Sequence, residues 1–146
     1  MYFEDIAVGQ KLALPPAEVN KAEMVGFAKE YNPAPAHTDE SFALTTRAGR
    51  LTSSGVYTFL LMWREYVIND FGGEHTLAGT AMRLEFLHPV FAGDVLSGEA
   101  YVKDKKARND YNGLVTVRID VYNSDKKLVL TCESDTVVKR KKNDSV

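Results

Sequence analysis

The chain has 146 residues, of which 45% are hydrophobic and 26% charged, with a formal net charge of −2. These values fit one ordinary globular domain with enough core to fold without staples; they exclude a disordered chain and a general basic field for nucleic acid. One cysteine, Cys132, excludes an intrachain disulfide framework, and with three widely spaced histidines it offers no metal-ligand cluster.

The N-terminal residues Met1-Tyr2-Phe3-Glu4-Asp5 lack the basic and apolar regions of a secretory signal. The longest apolar helical segment is broken by Arg64 and Glu65, so no membrane span is expected and the expected location is cytoplasmic. Phe3 and Ile6 lead to a turn at Val8-Gly9-Gln10, then to a short strand at 11–14 that Pro15-Pro16 is expected to stop. Asn20, with Glu23 three residues on, has capping-box spacing, and Met24, Phe27 and Ala28 share one face of a short helix running to about Tyr31.

Next comes Asn32-Pro33-Ala34-Pro35-Ala36-His37. The two prolines fix their own φ and turn Asn32 and Ala34 away from helical geometry, so an extended, stiff loop is expected to carry the imidazole. Such a loop suits a site, although an Asn-Pro pair also ends many helices and a lone histidine is often a surface or packing residue. Beyond it, 38–44 reads as a short helix capped by Thr38 or Asp39, broken at Ala48-Gly49-Arg50.

Residues 54–71 are apolar around most of a helix's circumference, so a long central helix is expected, buried and wrapped by a sheet, with Gly72-Gly73 ending it. Alternating segments follow at 82–87, 95–103, 114–122 and 128–138, interrupted by a turn-rich stretch from His88 to Asp94. Val115, Val117, Ile119 and Val121 fall on one face, Asn123-Ser124-Asp125-Lys126 reads as a hairpin turn, and Cys132 reads as a buried thiol on a strand. An early helix and a late run of antiparallel strands make an α+β chain. The basic run Lys139-Arg140-Lys141-Lys142 has no interleaved aromatics and is read as a solvated tail. A single domain is expected over 1–140, with a polar tail at 141–146.

At this point the sequence resembles a known family. Tyr2-Phe3-Glu4-Asp5-Ile6-Ala7-Val8-Gly9-Gln10, the run from Phe27 through Asn32-Pro33-Ala34-Pro35-Ala36-His37 to Glu40, Gly49-Arg50-Leu51-Thr52-Ser53-Ser54-Gly55, and His88-Pro89-Val90-Phe91-Ala92-Gly93-Asp94 are similar, in order, to motifs of the MaoC-like dehydratases. That branch of the hotdog fold includes (R)-specific enoyl-CoA hydratases. The resemblance implies a long central helix wrapped by a curved antiparallel sheet. It also implies a site in which an Asp and a His hold a water that adds across an enoyl thioester, while a backbone N–H at the start of the central helix binds the thioester oxygen.

Carried onto this chain, the His is His37, the oxyanion donor is Gly55 with Ser54 beside it, and the Asp position is occupied by Asn32. An amide neither accepts a proton nor carries charge, and losing a positioned base costs about 10²–10⁴-fold. Impaired or altered hydratase chemistry is therefore expected, with Asn32 orienting the water; a non-catalytic acyl-thioester-binding or regulatory module is the alternative, and a thioesterase a weaker one. Glu30 points to another face, Asp39 reads as a cap, and Glu65 is too far along the helix to replace the missing acid. The resemblance further implies a CoA or acyl carrier protein thioester as substrate and a homodimer with continuous sheets; no cofactor is expected, and the spacing of the three histidines and one cysteine gives no expectation of a metal. Tyr57, Phe59, Leu60 and Trp63 are candidate acyl lining, though such aromatics also serve as core. Arg47 and Arg50 either meet CoA phosphates or face solvent. His75 reads as an exposed loop residue, and His88 as structural or at a subunit contact.

Overall fold

The computed structural model describes residues 1–142. Five strands, β1 (Lys11–Glu18), β2 (Thr76–Phe86), β3 (Val95–Ala107), β4 (Asn112–Tyr122) and β5 (Leu128–Lys139), form one sheet. Its order is β1-β3-β4-β5-β2, with every neighbouring pair antiparallel. Among the described residues, four α-helices, α1 (Lys21–Tyr31), α2 (Pro35–Thr38), α3 (Glu40–Ala43) and α4 (Gly55–Asn69), lie between β1 and β2 in the chain.

The helix starts follow local chemistry. Asn20 caps α1 by accepting from the Glu23 N–H at 3.0 Å, and Asp39 caps α3 by accepting from the Phe42 N–H. On β4 the alternation is strict: Val115, Val117, Ile119 and Val121 are buried, while the residues between them are half-exposed. This apolar face belongs to one buried core with α4, whose Met62 is fully buried; an extra Cβ at Gly98 of the neighbouring β3 would lie 3.0 Å from the Met62 methyl. Burying each such side chain contributes about 1.5–3 kcal/mol. Cys132 is buried on β5, and burial pushes its thiol up to about 12.

Several expectations are corrected. Pro15 and Pro16 do not stop β1, which continues to Glu18 with a register shift between Leu14 and Ala17. Because β1 is an edge strand, a residue lacking an N–H costs no ladder bond on its free side, and the irregularity absorbs the second proline. Strand β2 begins at Thr76, well before the alternating segment; register shifts at Thr76/Ala78 and Gly79/Ala81 break the period there. Helix α4 ends at Asn69, where Asp70 takes over by accepting from the Gly73 N–H and the Thr76 hydroxyl.

Nor is α4 covered all round. Tyr57, Phe59, Leu61, Met62 and Tyr66 are buried, but Val56, Leu60 and Val67 are exposed, as are Leu77, Met82 and Phe86 on the edge strand β2. His75 is not a free loop residue: its ring stacks on Tyr2 with centroids 3.8 Å apart. The basic run is tied down as well. Arg140 bonds to Glu4 at 2.8 Å and Lys141 to Asp5, so these side chains fasten the first turn of the chain to the end of β5. Of the expected polar tail, residues 143–146 lie outside the described residues.

Candidate active site

The site grows from the joint between α1 and α4. Asn32 ends α1: its N–H still bonds to Ala28 O at 2.9 Å, but its φ of −152° leaves the helix. Ala34 is extended, as a residue before proline should be. The chain does not stay extended to His37, however, because Pro35 opens the single turn α2, a first helical position that needs no N–H. His37 is thereby presented from a short, braced turn.

A second segment then locks onto this turn. Thr52 N–H bonds to Ala36 O at 3.2 Å and Ser53 N–H to Val90 O at 2.7 Å. His37 Nδ1 lies 2.8 Å from the Thr52 carbonyl oxygen and 3.1 Å from its hydroxyl. A carbonyl oxygen only accepts, so Nδ1 carries the proton. In the neutral imidazole the lone pair is then on Nε2, the nitrogen a base would use.

Asn32 Nδ2 donates to the Ser54 Oγ at 2.9 Å. Ser54 is the fully buried N-cap of α4, and Gly55 is the first residue of that helix, so its N–H has no acceptor within the helix. Such an N-terminus favours negative charge. A Cβ at Gly55 would lie 2.6 Å from the Phe86 ring, so the residue type follows from the ring packed over the helix start. Thr58, one turn on, donates to the Ser53 hydroxyl at 2.9 Å, and both are buried.

These residues border one cleft of about 520 Å³, lined by Asn32, His37, Thr52, Gly55, Phe86 and His88 among others. The expected residues Asn32, His37 and Gly55 are therefore brought together, with Ser54 directly behind Asn32. The other candidates are not part of this lining. Tyr57 is buried against Phe27 with ring centroids 5.4 Å apart. Trp63 packs between Phe59 and Tyr66 and borders a separate cavity of about 340 Å³ beside Met82. Leu60 and Arg47 are exposed. Arg50 lies over the Phe91 ring, 3.6 Å from its centroid, at a third cavity that also includes Lys21 and Glu40.

Sequence reasoning missed Thr52, Phe86 and His88 as lining. Thr52 was legible only as a neighbour of Ser53-Ser54-Gly55, and Phe86 only as a member of an alternating segment. Among the described residues, no group of three or more His, Cys, Asp or Glu side chains is placed to hold a metal ion. No described helix is long and apolar enough to cross a membrane.

Solved structures share this architecture over nearly its full length. The chain is 28% identical to a monoamine oxidase regulatory protein from Archaeoglobus fulgidus, covering 97% of this chain and 95% of that one with a TM-score of 0.88. It is 28% identical to a MaoC-like dehydratase from Rhodospirillum rubrum, covering 97% and 98% with a TM-score of 0.87. With an (R)-hydratase from A. caviae involved in PHA biosynthesis it shares 26% identity, covering 91% and 97% with a TM-score of 0.73. The fold is a hotdog fold of the α+β class. The family model described as MaoC like domain matches residues 4–123, most of the chain, and the protein belongs to the MaoC-like dehydratase family.

Proposed function

We propose that the protein is a hydratase and dehydratase of 2-enoyl and (R)-3-hydroxyacyl thioesters carried on CoA or acyl carrier protein. The observation that carries this reading is the 2.8 Å contact from His37 Nδ1 to the Thr52 carbonyl, which leaves Nε2 as the basic nitrogen of a residue lining the cleft. In the proposal His37 takes a proton from water, the oxygen of the Asn32 amide orients that water, and the Gly55 N–H receives the thioester oxygen as enolate charge develops. A preorganised donor aimed at developing charge is a large catalytic contribution. The (R)-hydratase among the similar structures supports this substrate class.

The amide at position 32 favours a second reading, an acyl-thioester-binding module without turnover, because an amide cannot act as a base. The experiment that separates these is product analysis after incubation with crotonyl-CoA. The proposal expects (R)-3-hydroxybutyryl-CoA; bound but unchanged crotonyl-CoA supports the module, and free CoA would indicate thioester hydrolysis instead.

The proposal also takes the protein to be a homodimer. Strand β2 is an edge of 11 residues that is exposed along most of its length. Beside it, Val56, Leu60 and Val67 of α4 leave apolar surface open. A long free edge next to exposed apolar side chains is a surface that proteins cover.

A further inference from the structure

We propose that His88 is the second proton carrier of the cleft, delivering a proton to the substrate's α-carbon while His37 takes one from water. The inference rests on the hydratase reading above and deepens it.

Hydration of a 2-enoyl thioester moves two protons. One leaves water as its oxygen bonds to the β-carbon, and one arrives at the α-carbon as the enolate returns to the thioester. Asn32 can carry neither. Among the described residues that line the cleft there is no Asp, Glu, Lys or Arg; the imidazoles of His37 and His88 are its side chains that can both give and take a proton.

The two reach the cleft from different elements. His37 comes from α2, and His88 from the segment after β2. That segment is held where it leaves the sheet: the Leu87 N–H bonds to Val129 O at 2.8 Å, the His88 N–H approaches the same oxygen at 3.4 Å, and Pro89 fixes the next φ. The environments differ in the sense the two roles need. His37 is half-buried, with Nδ1 engaged by a carbonyl, whereas His88 is exposed and open to proton exchange with solvent between turnovers.

The step balances. The water oxygen forms its bond to the β-carbon as the π pair shifts toward the thioester, whose oxygen is held by Gly55 N–H. His37 Nε2 takes the water proton. The His88 imidazolium then gives its proton to the α-carbon, and the enolate electrons restore the carbonyl. His37 releases its proton to solvent and His88 takes one up, so the sum is one added water; dehydration is the reverse.

The test compares wild type, His88→Gln and His88→Ala on crotonyl-CoA. The proposal expects kcat to fall about 10²-fold in both variants with KM changed less than about threefold, and added imidazole to recover part of the rate of His88→Ala. It is overturned by a kcat within about threefold of wild type, by a loss confined to KM, or by a loss that imidazole does not recover. A wild-type protein without hydration overturns the hydratase reading and this proposal together. A wild type that hydrates alongside an unimpaired His88→Gln overturns this proposal alone.

Discussion

The amide of Asn32 donates through Nδ2 to the hydroxyl of Ser54 across 2.9 Å, joining the end of α1 to the start of α4. With its nitrogen committed to Ser54, the amide keeps its oxygen as the acceptor available to a water.

Asn32→Asp turns that bond around. A carboxylate has no proton to give, so Ser54 must donate to it, and the position gains a proton acceptor beside His37. The expected outcome is a rise of about tenfold or more in crotonyl-CoA hydration, read as loss of enoyl-thioester absorbance. An unchanged or lower rate would show that position 32 serves only to orient.

Gly55→Ala places a Cβ about where the Phe86 ring now sits, 2.6 Å from its nearest atom. Phe86 is exposed, so the ring can swing, but only by altering the cleft wall. The single substitution is expected to destabilise by about 1–3 kcal/mol. Adding Phe86→Ala should remove much of that cost, giving a non-additive double-mutant cycle in urea unfolding. Additive costs would mean that the clash is not what excludes a side chain at this position.

Thr52 acts on His37 mainly through its backbone. Thr52→Val deletes the hydroxyl at 3.1 Å but leaves the carbonyl at 2.8 Å, so the imidazole keeps its tautomer. Hydration is expected to fall less than about fivefold, far below the 10²-fold or greater loss from removing a general base. A loss as large as that of a His37 variant would assign the orienting role to the hydroxyl.

How much of this could be read from the sequence depended on whether neighbours in the chain decide the outcome. The Asn20 cap, the Asp39 cap, the alternation on β4 and the hairpin turn, where the Asn123 carboxamide accepts from the Asp125 and Lys127 N–H groups, all rest on residues within a few positions. Pro15-Pro16 misled because being an edge strand is a property of the sheet, not of the segment. Residues 76–81 hid their strand because two register shifts spoil the alternation. The Asn32, His37 and Gly55 grouping came through resemblance rather than spacing. Thr52 and His88 stayed invisible as lining because the contacts that place them, to Ala36 and Val129, join segments that the sequence alone does not bring together.

The tie between Glu4 and Arg140 gives a pH prediction. The guanidinium holds the Glu4 carboxyl at about 2, well below the usual carboxylate range. A depressed value contributes stability that is fully present above the unfolded pKa near 4.5 and is lost as pH falls through about 2. The side chain is about a third exposed, so the contribution is under about 1 kcal/mol. Glu4→Gln should therefore lower Tm slightly and constantly above about pH 5, with the gap to wild type closing between about pH 4.5 and 2. A gap that widens on acidification would contradict the pairing.

The proposed role of His37 as the base of an enoyl-thioester hydratase is checked by following crotonyl-CoA absorbance with wild type and His37→Ala. Wild type should consume the thioester and the variant should lose about 10²–10⁴-fold in rate, with the fold retained by circular dichroism. A wild type that binds crotonyl-CoA without consuming it, or a His37→Ala variant as fast as wild type, would contradict it.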